Sequence, residues 1–313
     1  MDIAIGIDIG GTNTAYGIVD KEGKILYEDS IPTKGYKDIN HYIDRLSDEI
    51  HSHLAKPFEL KGIGIGAPNG NYYKGTIEEA PNLEWKGTVH FADLINEKFN
   101  VPTWLTNDAN AAALGEMIYG GAKSMKDFLF ITLGTGVGSG IVANGELIYG
   151  HDGFAGEVGH IIVKENGRQC GCGRCGCLET YTSATGIKRT ALEILADEKK
   201  ESSLRKYTEN EIESKIIYEE AKKGDVVALR CFDITIDILG KALANSVAYT
   251  SPEAIFIFGG LAKAEDLLLK PLKQKMEEHL LMVYKNKIKI LPSELDGSKA
   301  AILGASALVW KEM

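Results

Sequence analysis

The sequence has no surplus of positive charge: 35 lysines and arginines stand against 44 acids, a net charge of −9. That balance argues against a broad basic surface for nucleic acid. No apolar stretch is long enough to span a bilayer. The first residues, Met1-Asp2-Ile3-Ala4, lack the basic start and apolar run of a secretion signal. These absences point to a cytoplasmic chain that binds neither nucleic acid nor membrane. Cysteine is scarce, at five in 313 residues, and nothing suggests an oxidising compartment, so a disulfide framework is disfavoured. The remainder is ordinary for a globular protein, 44% hydrophobic and 25% charged. The length suits about two domains.

Four of the five cysteines fall in one stretch, Gly153 to Thr180, which reads G-F-A-G-E-V-G-H-I-I-V-K-E-N-G-R-Q-C-G-C-G-R-C-G-C-L-E-T. Cys170, Cys172, Cys175 and Cys177 offer thiolates within a tight, glycine-rich loop, and His160 can add a nitrogen from upstream. Zinc takes four such ligands in a tetrahedron. The residues alone also allow a disulfide pair, free thiols or an iron–sulfur cluster, although the spacing fits no common cluster run.

Taken in order, the chain opens on an apolar run, Ile3 to Ile9, that reads as a buried strand. Asp8-Ile9-Gly10-Gly11-Thr12-Asn13-Thr14 turns it into a second strand, Ala15 to Val19. A hairpin turn at 21–24 leads to a third, Ile25 to Ser30. Glycine N–H groups can approach a phosphate closely, Thr12 adds a hydroxyl, and Asp8 can hold magnesium through water. A tight hairpin with a capping Asp would read the same way. The pattern returns at Phe128 to Val142, with Gly134-Thr135-Gly136 in the turn and Asn144-Gly145 as the next hairpin. Two such units suggest a duplicated domain.

Between them, residues 38–54 have helical spacing, and Lys61 to Gly66 reads as a strand. Asn69 and Asn82 stand in the loops that follow, as turn residues or as partners for a hydroxyl. A strand, Val101 to Thr106, meets Asn107-Asp108 and an alanine-rich helix, Ala109 to Met117. Asp108 reads as a helix N-cap, or as a carboxylate at a strand's carboxyl end, where open α/β sheets place ligands. Tyr119 to Ala122 reads as a crossing between domains and a hinge. Beyond the cysteine loop come a helix from about Ser183 to Asp197, a charged loop at 198–210, and helices Glu211 to Lys223 and Val226 to Tyr249. A strand, Ala254 to Phe258, then leads into the turn Gly259-Gly260, on which a flat ring can lie. The chain closes with a strand, Lys287 to Leu291, and a helix, Lys299 to Lys311.

G-x-x-G-E-x-G-H followed by C-x-C-G-x-x-G-C-x-E resembles the signature of the ROK family (repressors, open reading frames, sugar kinases). N-D-x-N-x-A-A-x-x-E, at Asn107, Asp108, Asn110, Ala111, Ala112 and Glu116, matches another of its motifs. The paired strand–turn units resemble the actin-like, ribonuclease-H-like ATPase fold. The resemblance implies an α/β protein of two domains with a duplicated strand–glycine turn–strand core and a central cleft. Residues 1–118 with 299–313 would form the smaller domain, and 119–298 the larger one with the zinc loop.

It further implies an ATP-dependent hexose kinase similar to bacterial glucokinases, with Asp108 as general base. Asn82, Asn107, Asp108, Glu157, His160 and Glu179 would bind the sugar. Asp8, Gly10, Gly11, Thr12, Gly134, Thr135 and Gly136 would grip phosphates, and Gly259 and Gly260 would face the adenosine. The implied cofactors are ATP, Mg²⁺ and a structural Zn²⁺ on His160, Cys170, Cys172 and Cys177; Cys175 falls on a variable position of the motif. A homodimer or homotetramer is implied as well. N-acetylmannosamine, N-acetylglucosamine and fructose are alternative substrates, and polyphosphate an alternative donor. The family also contains sugar-responsive repressors. Those need a helix-turn-helix ahead of the Asp8 turn, for which this sequence leaves no room, and the acidic balance agrees.

Overall fold

In the computed structural model, which describes all residues except 55–57, 198–199, 265 and 298, the isoleucine-rich run becomes the strand Asp2–Ile9 at the centre of a five-stranded sheet. On one side it pairs antiparallel with Asn13–Asp20, which pairs with Ile25–Pro32. On the other it runs parallel to Glu59–Gly66, and that strand to Thr103–Thr106.

The period of two sorts the side chains of this sheet. Ile5, Ile7, Ile63 and Ile65 share a core with Tyr42, Ile43, Leu46 and Ile50 of the helix Ile39–His53. Asp38 caps that helix by accepting from the Asn40 N–H. The intervening glycines carry the helix Ala300–Glu312 on the opposite face. A Cβ at Gly64 would stand 1.9 Å from the Ala305 carbonyl oxygen, so the helix can lie this close only over bare backbone.

The second sheet repeats the plan. Phe128–Leu133 pairs antiparallel with Val137–Ala143 and parallel with Ala254–Phe258, which pairs with Lys289–Pro292. Helices Ala184–Asp197, Ser214–Lys222, Val226–Thr250 and Leu269–His279 contribute to its core. Among the described residues no helix is long and apolar enough to cross a membrane.

Residues 1–125, 146–156 and 294–313 form one compact unit, and 126–145 with 157–293 a second. These bounds differ from the sequence reading, which placed 119–125, 146–156 and 294–298 with the second domain. The reason is tertiary. Gly121 and Glu294 both donate backbone N–H groups to the Glu116 side chain. The Tyr149 ring stacks on Tyr72 at 3.9 Å, and the Asn71 amide donates to the Asp152 carbonyl at 2.8 Å. A small sheet of Gly70–Asn71, Thr76–Glu78 and Thr88–Val89 was invisible in the sequence because its strands are too short to show alternation. The helix expected over 211–223 starts later, at Ser214. The charged loop expected from residue 198 begins outside the described residues.

Candidate active site

Register assembles the site in the first unit. Asp8 pairs with Gly66, and Gly66 with Thr106, so three parallel strands end at one edge. Asp8 therefore comes near the residues that follow Thr106. Asn107, not Asp108, is the N-cap of the helix Asp108–Ile118: its side chain accepts from the Asn110 N–H at 2.6 Å. The reading of Asp108 as the cap is corrected. Asp108 is the first helical residue, and its Oδ1 accepts from the Ala109 N–H at 2.8 Å. The Asn110 side chain is fully buried and donates to Thr106 Oγ1 at 3.3 Å.

Both carboxyls are poorly hydrated. Desolvation raises Asp8 to about 7, and the charge of Asp108 adds to the effect. Asp108 is also raised by desolvation, partly offset by the Ala109 N–H. Its surface is nonetheless exposed. A group that is reachable and short of water suits proton transfer.

The first glycine turn lies beside them. Gly10 N–H donates to the Asn13 carbonyl at 3.0 Å, and the Thr12 carbonyl accepts from Thr33 N–H at 2.8 Å, leaving Thr12 exposed. Asn82 comes to this turn because its loop is anchored. Leu83 and Trp85 are buried, and the Trp85 indole donates to the Tyr36 carbonyl at 2.8 Å. A side chain at Gly11 would run into Asn82. Asn69, with φ 51°, donates to the Glu79 carbonyl and serves its turn.

The second unit carries the cluster. His160, at the end of the short helix Val158–His160, comes together with Cys170, Cys172 and Cys177, their ligand atoms all within 4.8 Å of one another. His160 Nδ1 lies 3.7 Å from Cys170 Sγ, and Cys172 Sγ lies 3.6 Å from Cys177 Sγ. A tetrahedral zinc ion with its usual bond lengths sets such atoms about 3.5 to 3.8 Å apart, so the donor set is compatible with structural zinc. Cys175 is left out. It is exposed, bridged at the backbone to Gln169, and its thiol donates to the Gln169 amide oxygen at 3.1 Å.

Glu179 joins this cluster to the second glycine turn. Its Oε1 accepts from Cys170 Sγ at 3.0 Å and lies 3.8 Å from His160 Nδ1, while its Oε2 accepts from the Val137 N–H at 3.4 Å. A Cβ at Gly136 would fall 2.6 Å from that same oxygen, so the turn needs glycine there. The Gly134 carbonyl accepts from Ala184 N–H at 2.8 Å, and the Thr135 carbonyl from Thr185 Oγ1 at 2.7 Å. The other face of the His160 ring looks toward Glu157, with Nε2 4.0 Å from its carboxylate. Gly259 and Gly260 follow a strand in which Phe258 pairs with Thr132, so they emerge next to Gly134.

Sequence reasoning missed Arg168, to which it gave no role. It is 9% exposed and donates to Glu193, the Thr180 and Gly186 carbonyls and Thr190 Oγ1, fixing the backbone directly after Glu179. No local signal marks it, because its partners lie up to 25 residues away.

The ROK family model matches residues 4–312. The chain belongs to the ROK family. It is 38% identical over 312 residues to a glucokinase of Halalkalibacterium halodurans, covering 97% of this chain and 94% of that one. It resembles the solved structure of a ROK family glucokinase from Streptomyces griseus, in complex with glucose and AMPPNP, with TM-score 0.81, 32% identity and 99% of each chain covered. It is also 30% identical over 315 residues to a xylose repressor of Caldicellulosiruptor bescii, covering 99% of this chain and 78% of the repressor. The actin-like ATPase fold of ROK sugar kinases is the fold of this chain.

The Asp8 carboxyl gives a stability test. Its folded pKa is raised from 3.8 to about 7, so the stability it contributes is complete below pH 4 and is lost as pH rises through 7. Asp8→Asn is therefore expected to melt above the wild type at pH 8, with the gap closing toward pH 4. Thermal melts across that range check this; a gap independent of pH would remove the desolvated carboxyl from the account.

Proposed function

We propose that this ROK protein is an ATP-dependent hexose kinase that phosphorylates the 6-hydroxyl of glucose. The observation that carries the reading is Asp108: an exposed yet desolvated carboxylate at the edge where the Asp8–Thr12 turn also lies. The glucokinase relatives support the substrate, and the AMPPNP in one of them supports ATP as donor.

In this reading Asp108 accepts the proton of the attacking hydroxyl. The hydroxyl oxygen forms a bond to the γ-phosphorus as the bond to the β-phosphate oxygen breaks, and ADP leaves with the electron pair. Gly11, Thr12, Thr135 and Gly136 would offer N–H and hydroxyl groups to phosphate oxygens, Gly10 and Gly134 would shape the two turns through their own N–H bonds to the Asn13 and Gly136 carbonyls, and Gly259 and Gly260 would accept the adenosine. Asn82, Asn107, Glu157, His160 and Glu179 hold the remaining sugar hydroxyls. The Asn107 oxygen is already committed to its helix, so its amide NH₂ is the group offered to sugar. Mg²⁺, held through water by Asp8, would supply charge neutralisation on the phosphates. Zinc on His160 Nδ1, Cys170, Cys172 and Cys177 would hold the His160 ring directly, and would set Glu179 through the backbone two residues beyond Cys177, since the Cys170 thiolate no longer has a proton to donate to it. Such a kinase would work in the cytoplasm, where its nucleotide is.

A coupled assay of ADP release across hexoses tests the reading. Glucose is expected to give a higher kcat/KM than N-acetylmannosamine; the reverse order would overturn the glucokinase assignment. Asp108→Asn keeps the shape without the basicity, and its kcat is expected to fall at least ~10²-fold with sugar binding retained. Near wild-type turnover would mean that another group is the base.

Metal content, measured by elemental analysis, tests the cluster. Cys177→Ser is expected to lose zinc, and Cys175→Ser to keep it. Because Glu179 touches both the cluster and the second glycine turn, zinc loss is expected to raise KM for sugar and, to a lesser degree, for ATP. Zinc kept in Cys177→Ser but lost in Cys175→Ser would show a different set of thiols.

A further inference from the structure

The last residue of the N-D-x-N-x-A-A-x-x-E motif is a carboxylate for which the reaction has no use. Glu116 is fully buried. Burying a carboxylate is costly unless it is hydrogen-bonded, and a helix position here would be served as well by alanine. The residue therefore needs a reason, and its partners supply one. Oε1 accepts from the Gly121 N–H at 2.7 Å and from the Glu294 N–H at 3.1 Å. The Glu116 carbonyl accepts from the N–H groups of Gly120 and Ala122. A Cβ at Gly120 would stand 2.6 Å from the Glu116 carboxyl, so the chain folds directly over it.

These partners share one property. Residues up to Met125 complete the first stretch of the first unit, and Glu294 is where the chain enters that unit for the last time, after the intervening stretch 146–156. One carboxylate oxygen thus receives an N–H from both the first outgoing and the last returning segment, although its two donors lie 173 positions apart (294 less 121). Glu116 sits near the end of the helix whose first residue is Asp108. A helix rises about 1.5 Å per residue, so a rigid rod of roughly 12 Å joins the two acids. That rod is seated: a Cβ at Gly115 would stand 2.9 Å from Gly304 Cα of the closing helix.

We propose that Glu116 is a positioning residue, which pins the first outgoing and the last returning segment to the helix that carries Asp108 and so fixes the direction of that carboxylate. The inference rests on the kinase reading for Asp108; the clamp itself does not. Charge-assisted bonds from backbone N–H groups to a buried carboxylate are strong and directional. Their removal leaves two donors unpaired and frees both segments from the helix.

The test uses the full-length protein and two readouts. In E116A, amide hydrogen exchange in 119–125 and at 294–295 is expected to quicken by about tenfold, while the 168–177 loop keeps its wild-type rates. The kcat is expected to fall by about tenfold with KM for sugar within about twofold. The acid limb of the kcat profile should keep its wild-type midpoint, because the base itself is intact. E116Q, which keeps an acceptor oxygen, should recover most of both losses. If E116A does not fold, E116D withdraws the carboxylate by one methylene and should show the same exchange pattern. Wild-type exchange in either segment would overturn the clamp. Faster exchange in both segments with unchanged kcat would overturn the positioning role. A wild-type protein that phosphorylates no sugar would instead overturn the kinase reading, and the exchange measurement would still decide the clamp.

Discussion

Two acids share one strand edge with too little water for both to be comfortably charged, and much of the first unit follows from that. The parallel register from Asp8 through Gly66 to Thr106 brings them there, and desolvation raises both carboxyls. Left alone, the Asp8 carboxyl loses its contribution to stability as pH rises through 7. In the proposed reaction a divalent cation beside Asp8, or a hydroxyl proton arriving at Asp108, would relieve the strain. An unfavourable arrangement in the resting protein is thus matched to the charges of a phosphoryl-transfer reaction. The closing helix, lying close over Gly6 and Gly64, holds the same strands from behind.

The second unit solves a related problem with one carboxylate rather than two. Glu179 faces the thiol and imidazole of the cluster through one oxygen and the glycine turn through the other. Arg168, inside the same loop, braces the backbone after it. If the proposed roles hold, sugar recognition and phosphate recognition would have a common support. A perturbation of the cysteine loop should not stay confined to one substrate.

What was legible in the sequence was local. Ile3 to Ile9 announces a buried strand by its composition, the glycine turns announce themselves by what only glycine permits, and four cysteines in eight residues announce a cluster. What was not legible depends on partners far along the chain. Spacing could not separate Cys175 from Cys177; the Cys175 thiol turns to the Gln169 amide oxygen while that of Cys177 meets Cys172. Asn107 and Asp108 are adjacent, and which one caps the helix is decided by the angle at which the strand delivers them. Glu116 was legible only as a motif position and Arg168 not at all, because what each one holds lies far along the chain. The unit boundaries moved for the same reason: Tyr149 is held by Tyr72, and Glu294 by Glu116.

The most direct test of the central claim, that Asp108 and its surroundings pass the γ-phosphate of ATP to a sugar hydroxyl, is the chemical fate of that phosphate. Phosphorus NMR of a reaction containing the protein, ATP, Mg²⁺ and glucose follows it without a coupling enzyme. The account predicts that the γ-resonance is replaced by a phosphomonoester on the sugar's 6-carbon, in step with ADP. Inorganic phosphate appearing at a rate indifferent to sugar, or an unchanged ATP spectrum, would contradict it.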